Sequence, residues 1–160
     1  MPDEKSNTAW GEDNTAGREL HFSRLLDAPI KLVWKVWTSP EHIKYWWGPD
    51  GFTNTITKMD MKPGGEWILV MHGPDGTDYD HKCVFREVVK YKKIVYDQLT
   101  HFRYVATIEF ESRKDKTFIN WTMLFESNEC LIQAAKIYKV DAGFKQNAEK
   151  LINYLLRLRS

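Results

Sequence analysis

Long hydrophobic runs are missing from this chain of 160 residues. No stretch approaches the roughly 18 apolar residues of a membrane-spanning helix. The N-terminal segment carries no apolar block of the kind that marks a signal peptide. No membrane span is therefore expected, and a cytoplasmic protein is. An excess of one charge is missing too. Lys and Arg number 23 against 22 Asp and Glu, a formal net charge of +1. That balance removes any global pull toward nucleic acid or an anionic lipid surface. Cysteine is scarce: Cys83 and Cys130 lie far apart and match neither CxxC nor zinc spacing. Such scarcity fits a reducing compartment. His21, His42, His72, His81 and His101 form no HxH or HxxxH pair, so neither a metal nor a cofactor is expected. Glu66 and Glu87 fall on different strand faces, which argues against the paired carboxylates of glycoside chemistry. Gly64-Gly65 precedes a strand rather than a helix, so it is a turn and not a phosphate cradle.

Large rings, by contrast, are plentiful: 7 Trp, 7 Tyr and 8 Phe need either a large core or a cavity to line. The length suits one domain. Residues 1–17 are polar, acidic and without period, and read as a disordered leader; residues 18–160 form the domain. Arg18 to Leu26 alternates as a first strand. Ala28-Pro29 breaks it and opens a short helix, with Asp27 placed to cap its free amides and Val33, Trp34 and Trp37 at helical spacing. Ser39-Pro40-Glu41 starts a second short helix carrying Ile43, Trp46 and Trp47, and Gly48-Pro49 ends it.

From Phe52 to Phe125 the period becomes two. Strands are expected over 53–61, 66–72, 80–90, 94–100, 104–110 and 117–125. The turn at Gly73-Pro74-Asp75-Gly76, the basic tip from Lys90 to Lys93 and the charged hairpin from Arg113 to Lys116 separate some of them. Sequential strands with short turns make an antiparallel meander. After Glu126 the helical period returns. Glu129 to Tyr138 is helix-prone, Val140-Asp141 and Gly143 are expected to bend or interrupt it, and Phe144, Ala148, Leu151, Leu155 and Leu158 form the stripe of a long amphipathic helix.

The fold class that follows is α+β, with a curved antiparallel sheet of six to seven strands around a long C-terminal helix. A wide, curling sheet cannot stay in contact with a single helix along its full width. The space left over is either filled by rings or open as a pocket. The inward parity carries Trp67, Met71, His81, Phe85, Tyr96, Trp121 and Met123, a mixture that suits both outcomes. Likewise Trp46 and Trp47 could gate a cavity mouth or plug the end of the core.

Several stretches, taken in order, resemble a known family. They are Leu26 to Pro29, Val33 to Glu41, Trp46 to Pro49, Phe52-Thr53, Met61 to Gly65 and Met71 to Thr77, followed by the last strand and the Gly143-Phe144 opening of the last helix. The chain resembles the START-like, birch-allergen-like superfamily. Within it, the likeness is to the domain named for the C-terminal part of the activator of the ninety-kilodalton heat-shock protein's ATPase. That resemblance implies the helix-grip fold and a pocket. It also implies a choice among ligand carriers, cyclases, sequestering proteins and chaperone regulators, which a shared fold does not make. Cys83 stands where relatives often carry Gly, and His81 where an apolar ring is common, so a narrower pocket with one polar tip is expected.

The reading is a binding module for a small hydrophobic or aromatic molecule, lipid or polyketide-like, acting as carrier, sensor or sequestering protein. Trp46, Trp67, Met71, Phe85, Tyr96, Trp121, Met123 and Phe144 are expected to wall its site, with His81 and Gln98 as polar contacts. One alternative is a cyclase or hydrolase using the same cavity, with His81 as the acid/base candidate. The other is a chaperone-regulator-like interaction protein. Neighbouring His81 and Cys83 on one strand face lack a group to orient the imidazole, so Cys83 is expected to be an inert buried thiol. A homodimer is left open.

Overall fold

The alternating and helical periods resolve into eleven elements. The computed structural model describes residues 17–159, so residues 1–16 of the expected leader, and Ser160, lie outside the described residues. β1 (Glu19–Leu26) is followed by α1 (Ile30–Thr38) and α2 (Pro40–Trp46). Six strands come next: β2 (Thr53–Met59), β3 (Glu66–His72), β4 (Asp78–Val89), β5 (Lys93–Gln98), β6 (Tyr104–Arg113) and β7 (Lys116–Phe125). The chain closes with α3 (Asn128–Tyr138) and α4 (Val140–Arg159).

The strands form one antiparallel sheet in the order β1-β7-β6-β5-β4-β3-β2. Each neighbour in the meander pairs with the next, and β1 returns to the last strand, with Leu20 opposite Met123 and Phe22 opposite Trp121. Register shifts between Ile56 and Lys58 on β2 and between Phe85 and Glu87 on β4 add local twist. The sheet is α+β in the helix-grip arrangement, with two short helices after the first strand and a long helix at the end.

Several boundaries depart from expectation. Asp27 does not cap α1. Pro29 is the N-cap, no side chain bonds there, and the Pro29 carbonyl accepts the Leu32 and Val33 amides at 3.0 Å each. Asp27 sits two residues ahead of the position from which a side chain reaches those amides. β2 stops at Met59 rather than Met61 because the chain is already turning: the Lys62 amide bonds the Asp60 carbonyl at 2.8 Å. β4 begins two residues early, at Asp78. β6 and β7 run to within two residues of each other, leaving Lys114-Asp115 as the turn.

The break between the last helices falls at Lys139, not over Val140 to Gly143. Lys139 is left-handed, with φ 54°, and its amide reaches the Ala134 and Ala135 carbonyls to finish α3. Gly143 lies inside α4. A Cβ there would come within 3.0 Å of Pro49 Cγ, so Gly143 allows the first turn of α4 to rest on the end of the two-helix plug.

Polar ties fix these layers. The Thr117 hydroxyl donates to the buried Ala28 carbonyl at 2.8 Å. Arg18 donates to the Phe125 and Glu126 carbonyls at 3.0 and 3.2 Å. Phe144, Ala148, Leu151 and Leu155 of α4 are buried, but Leu158 is 40% exposed, so the stripe ends one turn before the helix does. Leu151→Ala is therefore expected to cost about 2–5 kcal/mol of stability. Leu158→Ala should stay within about 0.5 kcal/mol of the parent in urea unfolding.

Candidate functional site

A cavity of about 310 Å3 lies between the sheet and the first turns of α4. The sheet wall is built one strand at a time: Met71 of β3, Tyr79 and His81 of β4, Tyr96 of β5, Tyr104 of β6, and Trp121 and Met123 of β7. These are the inward positions of alternating strands, so strand period sets the wall. Gly143, Phe144 and Asn147 of α4 face them, joined by Ile137 to Val140 where α3 meets α4. Trp47, Gly48, Pro49 and Phe52 close one end, and His101 and Phe102 of the β5–β6 loop stand at another.

The closing end is held by α4. Asn147 Nδ2 donates to the Trp46 carbonyl at 2.9 Å. Lys150 Nζ donates to the carbonyls of Trp47, Pro49 and Phe52 at 3.4, 3.1 and 3.5 Å. These carbonyls leave α2 and its following loop, where a cation is favourable. Gly48 has φ 94°, and a Cβ there would lie 2.9 Å from Met71 Cε, so the loop passes flush against the cavity wall. At the rim, the Tyr138 ring lies 5.1 Å from Phe102, 5.8 Å from His101 and 6.3 Å from Tyr79, centroid to centroid.

Three polar groups of the sheet wall, His81, Tyr96 and Tyr104, are held neutral by burial. Burial pushes the His81 imidazole down to about 4, helped by the nearby His101. Burial pushes both Tyr96 and Tyr104 upward, so each keeps its proton. Their hydroxyls share one hydrogen bond of 3.2 Å. Burial likewise raises the Cys83 thiol, with the Asp97 carboxylate adding to it, which leaves Cys83 without thiolate character.

Six of the ten residues expected at the site stand on the cavity wall: Met71, His81, Tyr96, Trp121, Met123 and Phe144. The other four do not. Trp46 is fully buried and donates its indole N–H to the Val36 carbonyl at 3.0 Å, so it plugs the core while Trp47 takes the wall. Trp67 and Phe85 stack on each other at 6.1 Å behind Tyr96. Gln98 is fully buried, and it bonds its own loop and the His81 side chain. Its amide donates to the Thr100 carbonyl and, at 2.9 Å, to the Phe102 carbonyl, and its oxygen accepts from the Thr100 hydroxyl. Gln98 ties down the rim loop and does not line the cavity.

Sequence reasoning missed Tyr79, Tyr104, His101 and the α3–α4 junction. Tyr79 shares parity with His81, so a strand begun two residues earlier would have included it. Tyr104 was on a legible inward parity. The junction carried no such signal, because α3 buries only Ala134.

On the opposite sheet face, Thr55 and His72 share a bond of 2.8 Å and His72 and Asp78 one of 2.7 Å. The Asp78 side chain is 61% exposed, so this hydroxyl–imidazole–carboxylate chain lacks a water-excluding pocket and ties three strands together. Among the described residues no cluster of three or more His, Cys, Asp or Glu could hold a metal ion. No helix among them is long and apolar enough to cross a membrane.

The depressed His81 value makes a pH prediction. Its fold-derived stability is fully present above pH 6.5 and falls as pH drops toward about 4, where the folded protein also takes the proton. The loss is up to about 3 kcal/mol. Denaturant unfolding of the parent against His81→Leu across that window should show the parent's extra slope; parallel curves would remove His81 as its source.

The fold recurs in solved structures. A protein from Arthrobacter aurescens superposes with a TM-score of 0.82 at 22% identity, covering 91% of this chain and 90% of that one. A protein from Nitrosomonas europaea gives 0.77 at 22% identity, over 91% and 99% of the two chains. An AHSA1-like protein from Aeromonas hydrophila gives 0.68 at 18% identity, over 87% and 94%. Identities this low speak to fold alone. No curated protein matches the sequence. The model of one family matches residues 27–155, from the opening of the helical plug to the last buried leucine of α4. The chain belongs to the family of activator of Hsp90 ATPase homolog 1-like proteins.

Proposed function

We propose that the protein binds a small hydrophobic or aromatic molecule in the cavity between the sheet and α4, as a carrier, sensor or sequestering protein. The observation that carries this reading is the cavity itself. A space of about 310 Å3 remains although the chain is rich in large rings that could fill it. Its wall is mostly rings and methionines with a few polar tips, the composition of a small-molecule site.

The enzymatic alternative gains less. His81 and His101 are the imidazoles of the wall, and the titratable groups that act on His81 are His101 and Asp80 rather than a nucleophile it could activate. The family's name suggests a chaperone partner, but no surface feature among the described residues favours that reading. Two unpaired thiols, Cys83 and Cys130, support a cytoplasmic setting.

The test uses two indoles already on the wall, Trp47 and Trp121. Titration with a panel of small aromatic, polyketide-like and lipid compounds should find at least one that quenches Trp fluorescence saturably at one molecule per chain. Val140→Phe adds bulk to the helix wall from a partly buried position. It should weaken that ligand at least about ten-fold, or 1.4 kcal/mol. A panel with no saturable ligand sinks the proposal.

A further inference from the structure

The residues that line the cavity are not equally wet. The exposed ones are His101 of the β5–β6 loop and Ile137, Tyr138 and Lys139 at the end of α3; the rest are buried or half-buried. The mouth of the cavity therefore lies between that loop and the α3–α4 junction. Tyr138 spans it. The ring starts from the helix and rests on His101, Phe102 and Tyr79 of the sheet side.

The two lips of the mouth are held unequally. On the sheet side the Leu99 amide donates to the Lys82 carbonyl at 3.0 Å, and the Phe102 amide to the Thr100 carbonyl at 2.7 Å. His101 Nε2 donates to the Asp80 carbonyl at 2.9 Å, and Gln98 Nε2 to the Phe102 carbonyl at 2.9 Å. On the helix side, no side chain from Lys136 to Lys139 makes a hydrogen bond or ion pair among the described residues. The ties of α3 gather at its other end. The Ser127 hydroxyl accepts the Cys130 amide at 3.0 Å, Asn128 Nδ2 donates to the Gly17 carbonyl at 2.8 Å, and Cys130 Sγ donates to the Arg103 carbonyl at 3.6 Å.

We propose that Tyr138 is the latch of this mouth: the last turn of α3 lifts from the β5–β6 loop to admit the ligand and closes when the ring returns to Phe102, His101 and Tyr79. This rests on the cavity-binding reading above and adds its route of entry. Opening here gives up ring contacts alone, from a tyrosine already 38% exposed. Opening at the plug would break the four hydrogen bonds that Asn147 and Lys150 make. The movement also has a hinge. Lys139 is one left-handed residue between two helices, at an element end where a change of φ and ψ is absorbed.

A latch and a mere wall contact differ in kinetics. Freeing a latch raises the open fraction, which speeds entry and exit together and leaves affinity unchanged. Losing a wall contact speeds exit alone. Stopped-flow mixing with N-phenyl-1-naphthylamine, an uncharged dye that brightens in apolar surroundings, separates the two. Tyr138→Ala should raise both rate constants at least about five-fold and keep Kd within about three-fold of the parent. Tyr138→Phe keeps the ring, so both its rates should stay within about two-fold of the parent. Unchanged rates in Tyr138→Ala, or a faster exit alone, overturn the proposal. Hydrogen exchange needs no ligand. The amides of residues 137–139 should exchange at least about a hundred-fold faster than that of Leu151, and equal protection overturns the latch. A parent that never binds the dye counts against the cavity-binding reading instead, and exchange still decides whether the turn opens.

Discussion

The structure depends on how Trp121 is surrounded. This one indole on the last strand lies 4.8 Å from Trp37 of α1, 5.9 Å from Trp47 beyond α2, and 4.8 Å from Phe144 of α4. Phe22 of β1, directly across the ladder, approaches at 6.5 Å. Sheet, plug and long helix therefore meet on a single ring. Aromatic edge-to-face contacts have a preferred spacing and tilt. They hold the three layers at a fixed separation instead of letting them collapse together. The cavity begins where that cluster stops, with Trp121 and Trp47 serving as its deep wall.

Because the separation is set at one end, the other end must be held by polar ties. Asn147 and Lys150 do this from α4, taking the carbonyls of Trp46, Trp47, Pro49 and Phe52. Each acceptor sits at or after the end of α2, where the helix leaves its own carbonyls unpaired. One helix thus caps another while roofing the site. The far rim is tied on the sheet side, where Gln98 donates to the Thr100 and Phe102 carbonyls, and not from the helix. There Tyr138 rests against Phe102, His101 and Tyr79, on a helix whose only buried residue is Ala134. Helix-borne polar ties are concentrated at the plug, and the rim loop is held by the sheet.

Much of this was legible in the sequence, for physical reasons that differ by residue. Strand period places Met71, His81, Tyr96, Trp121 and Met123 inward whatever the sheet's curvature, so their wall positions follow from parity alone. Phe144 follows from the helical stripe it opens. Parity cannot say how deep an inward residue lies. Trp67 and Phe85 share the parity of their neighbours yet sit behind Tyr96, because curvature decides which inward rings face the helix and which face each other. Gln98 was misjudged for a related reason. A buried amide must satisfy four bonding positions, and the nearest partners were the backbone of its own loop. The turn at Lys139 left no trace, since a left-handed lysine is a tertiary outcome and not a propensity.

Cys83 shows where residue-by-residue resemblance ends and packing begins. A side chain in place of the family's usual glycine was expected to narrow the pocket. The thiol instead lies 2% exposed and off the wall, with Sγ directed at the Gln98 oxygen at 4.0 Å. Its volume pushes on the layer behind the wall, where Trp67, Phe85 and Gln98 are packed, and not on the cavity. The groups that do border the space are the half-buried His81 and the phenol pair, which stand on the wall beside Tyr79 and His101. The polar side chains of the sheet wall, Tyr79, His81, Tyr96 and Tyr104, stand on adjacent strands. Their spacing is fixed by sheet register, which a small change of side-chain volume behind them does not move.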